Sequence, residues 1–445
     1  MQTSRWLRRT LLGLSLALHA LLAFTSLIWA THLRDPHLLP IRAWESWLLA
    51  GIALAGLALY VWLGRRQRSQ ALFAAAWLII GGLAIRGEVS FRADRAGVLT
   101  ASGAEATRFA ALGRHLVIGY DQPDDIRELA RRGFIAGIFI TRRNVAGKSF
   151  EQLRAEIAGL QALRSEAGLP PLLVSSDQEG GPVSRLSPPL PHQPALATLL
   201  EPNLTDIERR AEAYGAAQGE ALASLGVNLN FSPVLDLKPA QASGALDFHT
   251  RIASRAISAD PATVTRVALA YSRGLLAHGV LPTAKHFPGI GSVSADTHHF
   301  SAGLDTPRSE LEARDWQPFR ALLAQTPALL MVGHVSVSSI DPDLPASLSP
   351  KVITGVLRQD WRHDGLLITD DMTMGAVYNR GLCDSSIHAL GAGMDLLLVS
   401  YDWEHVFPLL RCLSEAGQAE KLEALAASDA RIAKAESAWR AFRKN

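Results

Sequence analysis

Residues 285–299 of the chain run from Lys285 and His286, through Phe287, Pro288, Gly289 and Gly291, to Asp296 and His298. A basic pair closing an apolar run can clamp hydroxyl groups. An aspartate two positions before a histidine can orient the imidazole and tune it for proton transfer. The loop glycines would let that pair move over a bound substrate. Further along, the apolar run 366–369 ends in Asp370 and Asp371. Adjacent strand residues point to opposite sides, so one carboxylate faces inward while the other caps the next turn or takes backbone amides. A carboxylate opposite a histidine proton donor matches covalent glycosyl transfer, in which one group attacks the anomeric carbon and the other protonates the leaving oxygen.

Asp177 follows another apolar run and stands before the twin glycines Gly180 and Gly181. It can accept hydrogen bonds from sugar hydroxyls, or simply cap a helix in an ordinary turn. The glycines permit a tight turn or close approach of a ligand. Arg185 and Arg255 carry no weight alone, because most arginines are surface charges. Lys285 and His286 meet no intervening turn residue, so one of the two should enter the mouth of the fold. The histidines near Asp296 fit no common zinc spacing and have no third ligand, so neither a metal nor an organic cofactor is expected.

These residues need strands to hold them. Short apolar runs at 116–119, 135–141, 172–176, 228–235, 281–285, 328–333, 366–369 and 394–399 read as eight strands. Amphipathic helical patterns at 149–167, 205–225, 261–278, 309–323 and 349–360 lie between them. This alternation predicts an α/β fold, a (β/α)8 TIM-type barrel over 105–445, with the polar residues at the strand C-termini where such barrels build active sites. A doubly wound open sheet predicts similar alternation. No Gly-x-Gly-x-x-Gly follows the first strand and no Gly-Lys-Ser/Thr phosphate loop occurs, so nucleotide-binding folds lose ground.

The segment 1–90 reads as a membrane-anchoring region of about three transmembrane helices. Residues 11–30, 47–63 and 71–85 are apolar, with His19 the one strongly polar member of the first run. A cleaved signal followed by a hairpin, or two spans and a buried helix, are the alternatives. The third run is short for a span. Arg5, Arg8 and Arg9 place the N-terminus inside, and Arg65, Arg66 and Arg68 place the second loop inside. If the third run spans, the barrel is extracytoplasmic on a multi-pass protein of the cytoplasmic membrane.

The net charge of +2, with no basic stripe outside the membrane flanks, argues against nucleic acid as partner. The two cysteines, Cys383 and Cys412, are too few for a disulfide framework. They would pair in an extracytoplasmic domain or remain two unrelated buried thiols.

The soluble part, over about 112–399, resembles glycoside hydrolase family 3, and within it the bacterial β-N-acetylhexosaminidases of the NagZ type. The matching motifs are Asp177-Gln178-Glu179-Gly180-Gly181, Ser232-Pro233-Val234-Leu235-Asp236, Lys285-His286-Phe287-Pro288-Gly289 with Asp296 and His298, Gly333-His334-Val335 followed by Asp341-Pro342, and Asp370-Asp371-Met372-Thr373-Met374. The resemblance implies that Asp370 is the nucleophile and that His298, paired with Asp296, is the acid/base. It implies that Asp177, Arg185, Arg255, Lys285 and His286 hold a terminal N-acetylglucosamine. The expected activity is removal of that sugar from glycans such as peptidoglycan fragments. Other readings are a β-glucosidase, a phosphorolytic enzyme of the same fold, or an inactive membrane-tethered glycan-binding barrel. The family commonly has His and Asp where this chain has Ile290 and Ser292, and Arg where it has Pro182.

Overall fold

The computed structural model describes residues 2–62, 68–200, 206–239, 250–293, 299, 301–418 and 425–442. The chain divides into two compact units, Met1–Thr100 and Ala101–Asn445.

The first unit consists of helices α1 (Gln2–Thr31), α2 (Glu45–Trp62) and α3 (Arg68–Thr100). Small residues let them approach: Ala23, Ala30, Ala53 and Ala84 share a core with Leu49, Trp77 and Ile80. Gly56 makes room for the Trp77 indole, since a Cβ there would lie 2.2 Å from it. His19, the polar residue of the first apolar run, packs edge-on against Phe73 and Trp77. The turn between α1 and α2 is tied by buried Glu45, which accepts from Trp29 Nε1 (3.2 Å), Arg34 N (3.1 Å) and Arg42 Nη1 (2.8 Å). Of the eighteen large apolar or aromatic side chains exposed among the described residues, seventeen lie between Leu14 and Val89.

Three spanning helices are not established. Among the described residues one helix, Ala71–Thr100, is long and apolar enough to cross a membrane: it has 30 residues, and an 18-residue window within it has a mean hydropathy of 1.6; Ala17–Thr31 and Glu45–Leu59 are shorter apolar stretches. The third apolar run, expected to be the shortest, therefore belongs to the longest apolar helix. Its continuation past Arg86 is helical but polar, and an apolar-run criterion misses it.

The second unit is a closed barrel of eight parallel strands: β1 (Leu116–Ile118), β2 (Gly137–Ile140), β3 (Leu173–Ser176), β4 (Leu229–Asn230), β5 (Leu281–Phe287), β6 (Leu329–Val332), β7 (Leu367–Asp371) and β8 (Leu396–Val399). Each pairs with the next, and β8 closes on β1 with Leu397 opposite Leu116. Alternate side chains fill the interior: Leu329 and Met331, Leu366 and Ile368, Leu396 and Leu398, with Phe139 stacked on Phe231 at 5.5 Å. Ile432, from the helix Leu425–Phe442, joins this core near the strand starts. Buried Asp395, just before β8, ties that helix down by accepting from Arg431 Nε (2.7 Å) and Ser428 Oγ (2.8 Å) as well as Arg358 Nη2 (2.7 Å).

All eight expected strands are present, but β4 is regular over only a small part of its apolar run; beyond Asn230 the chain stays bonded to β5 irregularly, with the Thr283 N–H donating to the Ser232 carbonyl (2.9 Å), the Leu235 N–H to that of Lys285 (2.6 Å), and an isolated bridge at Val234. The expected helix 309–323 is two helices, Arg308–Ala313 and Trp316–Gln325. Lys351–Asp360 is a π-helix. Cys383 and Cys412 form a disulfide between helices Leu382–Ala392 and Val406–Gln418.

The helices Ile207–Leu225 and Pro261–Leu276 cross with glycines in contact. A Cβ on Gly274 would lie 2.2 Å from the Glu212 carbonyl oxygen, and one on Gly215 2.1 Å from that of Tyr271. Gly274→Ala is therefore expected to destabilise the barrel by about 1–3 kcal/mol through overpacking. A lowered thermal midpoint would show this; an unchanged one would mean that the two helices separate freely.

Candidate active site

The polar residues gather where the strands end. Asp177 follows β3, and the next residues, Gln178–Gly180, pair with Val183–Ser184 as a small hairpin. Gly180 (φ +92°) and Gly181 (φ +61°) make its turn, and a Cβ on Gly180 would lie 2.0 Å from the Tyr214 hydroxyl. The turn thus explains the twin glycines, and Pro182 follows them between the two paired strands.

Lys285 lies within β5 and is 2% exposed, yet its ammonium is 2.6 Å from both Asp177 Oδ1 and Glu179 Oε1. Arg255, at the end of the short helix Ile252–Arg255, grips Glu179 from the other side in a bidentate pair, Nε–Oε2 2.9 Å and Nη2–Oε1 2.7 Å. Burial by itself would raise the Glu179 carboxyl, but the charges and hydrogen bonds of Arg255 and Lys285 outweigh it and hold its pKa at about 2. Burial likewise acts to lower the Arg255 pKa, and Glu179, Asp177 and Asp236 more than reverse that.

His286 joins the same cluster, so both members of the basic pair, rather than one, reach the mouth; the peptide between them is cis. Buried Asp236 lies 2.7 Å from His286 Nδ1 through Oδ2 and accepts the Ile290 N–H at 2.7 Å through Oδ1. With Nδ1–H donating to Asp236, Nε2 is left to accept from Arg255 Nη2 at 3.4 Å. Ile290, one of the departures from the family motif, is buried and anchored by that backbone bond. A Cβ on Gly291 would lie 2.1 Å from the Leu237 carbonyl oxygen, so the base of this loop is packed. Asp296 and His298 lie outside the described residues.

At the end of β7 the two carboxylates separate as alternation requires. Buried Asp371 accepts from Thr373 N (2.8 Å), Thr373 Oγ1 (2.5 Å), Ser400 N (2.8 Å), Tyr401 N (3.0 Å) and the Ser400 hydroxyl. Asp370 is half-buried, and its Oδ1 accepts the Asp371 N–H at 2.8 Å. Behind it, buried His334 has Nδ1 2.7 Å from Ser347 Oγ and Nε2 3.0 Å from the Asp371 carbonyl oxygen. Burial lowers the His334 pKa, with the Asp370 charge acting the other way. Burial pushes the Tyr401 phenol up, with the charges of Asp371, Asp177 and Asp370 adding to the rise and that of Arg185 opposing it. Arg185 Nε is buried and has no hydrogen-bond partner among the described residues.

Of the sequence-derived site residues, Asp177, Arg255, Lys285 and His286 thus form one bonded cluster, and Asp370 and Arg185 stand at the same opening. Glu179, Asp236, His334 and Tyr401 had no role in the sequence reading. Glu179 and Asp236 carried a signal, each being an acid inside an otherwise apolar or glycine-rich motif. Among the described residues no three His, Cys, Asp or Glu side chains group as a metal ion would require.

Residues 110–435 match the family model "Glycosyl hydrolase family 3 N terminal domain". A beta-hexosaminidase of Stenotrophomonas maltophilia (strain R551-3) is 32% identical over 289 residues, 64% of this chain and 82% of that protein. A family 3 β-N-acetylglucosaminidase from Paenibacillus sp. str. FPU-7 superposes with a TM-score of 0.68 at 29% identity, covering 77% of this chain and 64% of the other. A β-N-acetylhexosaminidase from Beutenbergia cavernae DSM 12333 gives 0.67 at 26% identity, covering 76% and 100%.

Glu179→Gln would leave Lys285 and Arg255 buried with one carboxylate fewer. The expected loss is about 3–5 kcal/mol. Because the folded pKa is depressed, the stabilisation is present above pH 4.5, the ordinary value, and is lost as pH falls towards about 2. Denaturant unfolding across this window should show a steeper acid loss for the wild type than for the variant; equal slopes would remove Glu179 from the account.

Proposed function

The chain belongs to glycosyl hydrolase family 3, and from that premise we propose that it is a retaining exo-β-N-acetylglucosaminidase anchored in the cytoplasmic membrane. Its proposed substrate is a glycan ending in β-linked N-acetylglucosamine, with peptidoglycan fragments as the source. The observation that carries the mechanism is the division of labour at the end of β7. Asp371 is consumed by five donors, whereas Asp370 is half-buried and accepts the Asp371 N–H through Oδ1, which supports Asp370 rather than Asp371 as the nucleophile.

In the first step the Asp370 carboxylate attacks the anomeric carbon while protonated His298 gives its proton to the departing oxygen. In the second, the neutral imidazole takes a proton from the attacking water, and the bond to Asp370 breaks. Asp296 is assigned the orientation of His298; both roles rest on the family motif. Asp177 and Lys285 are assigned to the sugar hydroxyls. The unpartnered Arg185 Nε offers a donor, and Arg255 and His286 complete the grip.

Membrane anchoring is supported by the apolar helix Ala71–Thr100 and by the concentration of exposed apolar side chains on α1–α3, a surface that water disfavours. With the third apolar run as a span, the Arg distribution supports a barrel on the extracytoplasmic side. The disulfide Cys383–Cys412 fits an oxidising compartment.

The full chain should release the chromophore from an aryl β-N-acetylglucosaminide in preference to the β-glucoside, at a rate indifferent to phosphate. Asp370→Asn should abolish turnover, and His298→Ala should lower kcat by about 10²–10⁴. A fluorinated substrate should label Asp370; label on Asp371, or undiminished turnover in Asp370→Asn, would overturn the assignment. A topology reporter fused after Asn445 should report the extracytoplasmic side, and a cytoplasmic signal would refute the proposed orientation.

A further inference from the structure

A cavity of about 520 Å3 opens at the opposite end of the barrel from the Lys285 cluster, against Ala328, Leu329 and Leu366 at the starts of β6 and β7. Such a volume suits a small organic ligand. Its wall is cationic: Arg320, Arg362, Arg431 and Lys434 line it, against Asp364 as the one carboxylate. Two of these charges are already matched, Lys434 by Asp364 at 2.6 Å and Arg431 by Asp395 at 2.7 Å. Arg320 and Arg362 pair with no carboxylate among the described residues. Arg320 instead lies 5.5 Å from the centre of the Trp361 ring, giving a flat aromatic wall with a guanidinium beside it.

The turn that delivers these groups is built. The π-helix Lys351–Asp360 ends with the Trp361 N–H donating to the Val356 carbonyl, and Arg362 follows with φ +51°, the left-handed region that an arginine seldom occupies. His363 then folds over Gly365, where a Cβ would lie 2.8 Å from Nε2. His363 lines the cavity, and its Nε2 is buried with no hydrogen-bond partner among the described residues. Burial and the Arg358 charge, partly offset by Asp395 and Asp364, lower the His363 pKa to about 4, so the ring is neutral at ordinary pH and can donate without adding charge.

We infer that this cavity is a second binding site, for a phosphate-bearing anion whose apolar or planar body lies along Trp361 and whose phosphate is held by Arg320 and Arg362. Planar guanidinium pairs suit phosphate better than point charges do. The phosphate can belong to a soluble ester or to an anionic lipid headgroup. The site is independent of the glycosidase chemistry.

The test is calorimetric titration of the detergent-purified full chain with pyrophosphate, and separately with monomeric dihexanoyl phosphatidylglycerol. Saturable binding of the first identifies a soluble source and of the second alone a lipid source; either supports the site only if Arg320→Gln/Arg362→Gln weakens it about tenfold or more. Glycosidase turnover should be unchanged in that variant, which checks that it is folded. Arg127→Gln/Arg154→Gln, on the surface elsewhere, should leave the affinity intact. No binding of either probe, or equal weakening by both double variants, would overturn the inference.

Discussion

Lys285 is buried at the top of β5 with carboxylates on two sides, and the arrangement of the mouth follows from satisfying it. An ammonium taken out of water loses several kcal/mol of hydration, which only close carboxylates can offset. Asp177 and Glu179 supply them, and both come from the segment just after β3, so that segment must lie against β5. The second carboxylate would in turn leave excess negative charge, which Arg255 matches from the chain beyond β4. Replacement by apolar residues could fold as well. The arrangement therefore acts as a positioning device: three neighbouring strand ends are held in one register by ion pairs rather than by their own loops. Asp236 extends it, fixing the face of His286 and the first residues of the following loop together.

The barrel could be read from the sequence because each parallel strand is buried on both faces and so appears as a continuous apolar run, bounded by turn residues. Strand ends were less readable. At β4 the apolar run continues through Phe231 to Leu235, but Pro233 has no N–H to give to a ladder, and the chain there keeps only irregular bonds to β5. The break between Arg308–Ala313 and Trp316–Gln325 leaves the apolar period almost undisturbed, which is why a single helix was expected.

The site was readable where chemistry is local. Asp177, Lys285, His286 and Asp370 stand next to strand ends, and position alone marks them. Glu179 and Asp236 escaped because their roles are to hold other residues, and a holding role exists only once distant segments meet. Alternation sorted Asp370 from Asp371 in principle; which one was inward required knowing that Ser400 and Thr373 would surround the other. In the N-terminal unit the sequence marked apolar runs well but not helix lengths, since α3 continues through Arg86, Glu88 and Arg92 as a polar helix.

A closed barrel has one junction that no turn protects, where the last strand meets the first and the chain's tail could peel away. Here the tail is stapled. The Cys383–Cys412 bond, spanning 29 positions, links the helix before β8 to the helix after it. Any local unfolding of the final segment must carry β8 as part of one cooperative unit, since the covalent loop leaves it little entropy to gain by fraying alone. The strand beside Asp370 is thus shielded from partial opening by a bond made between two outer helices.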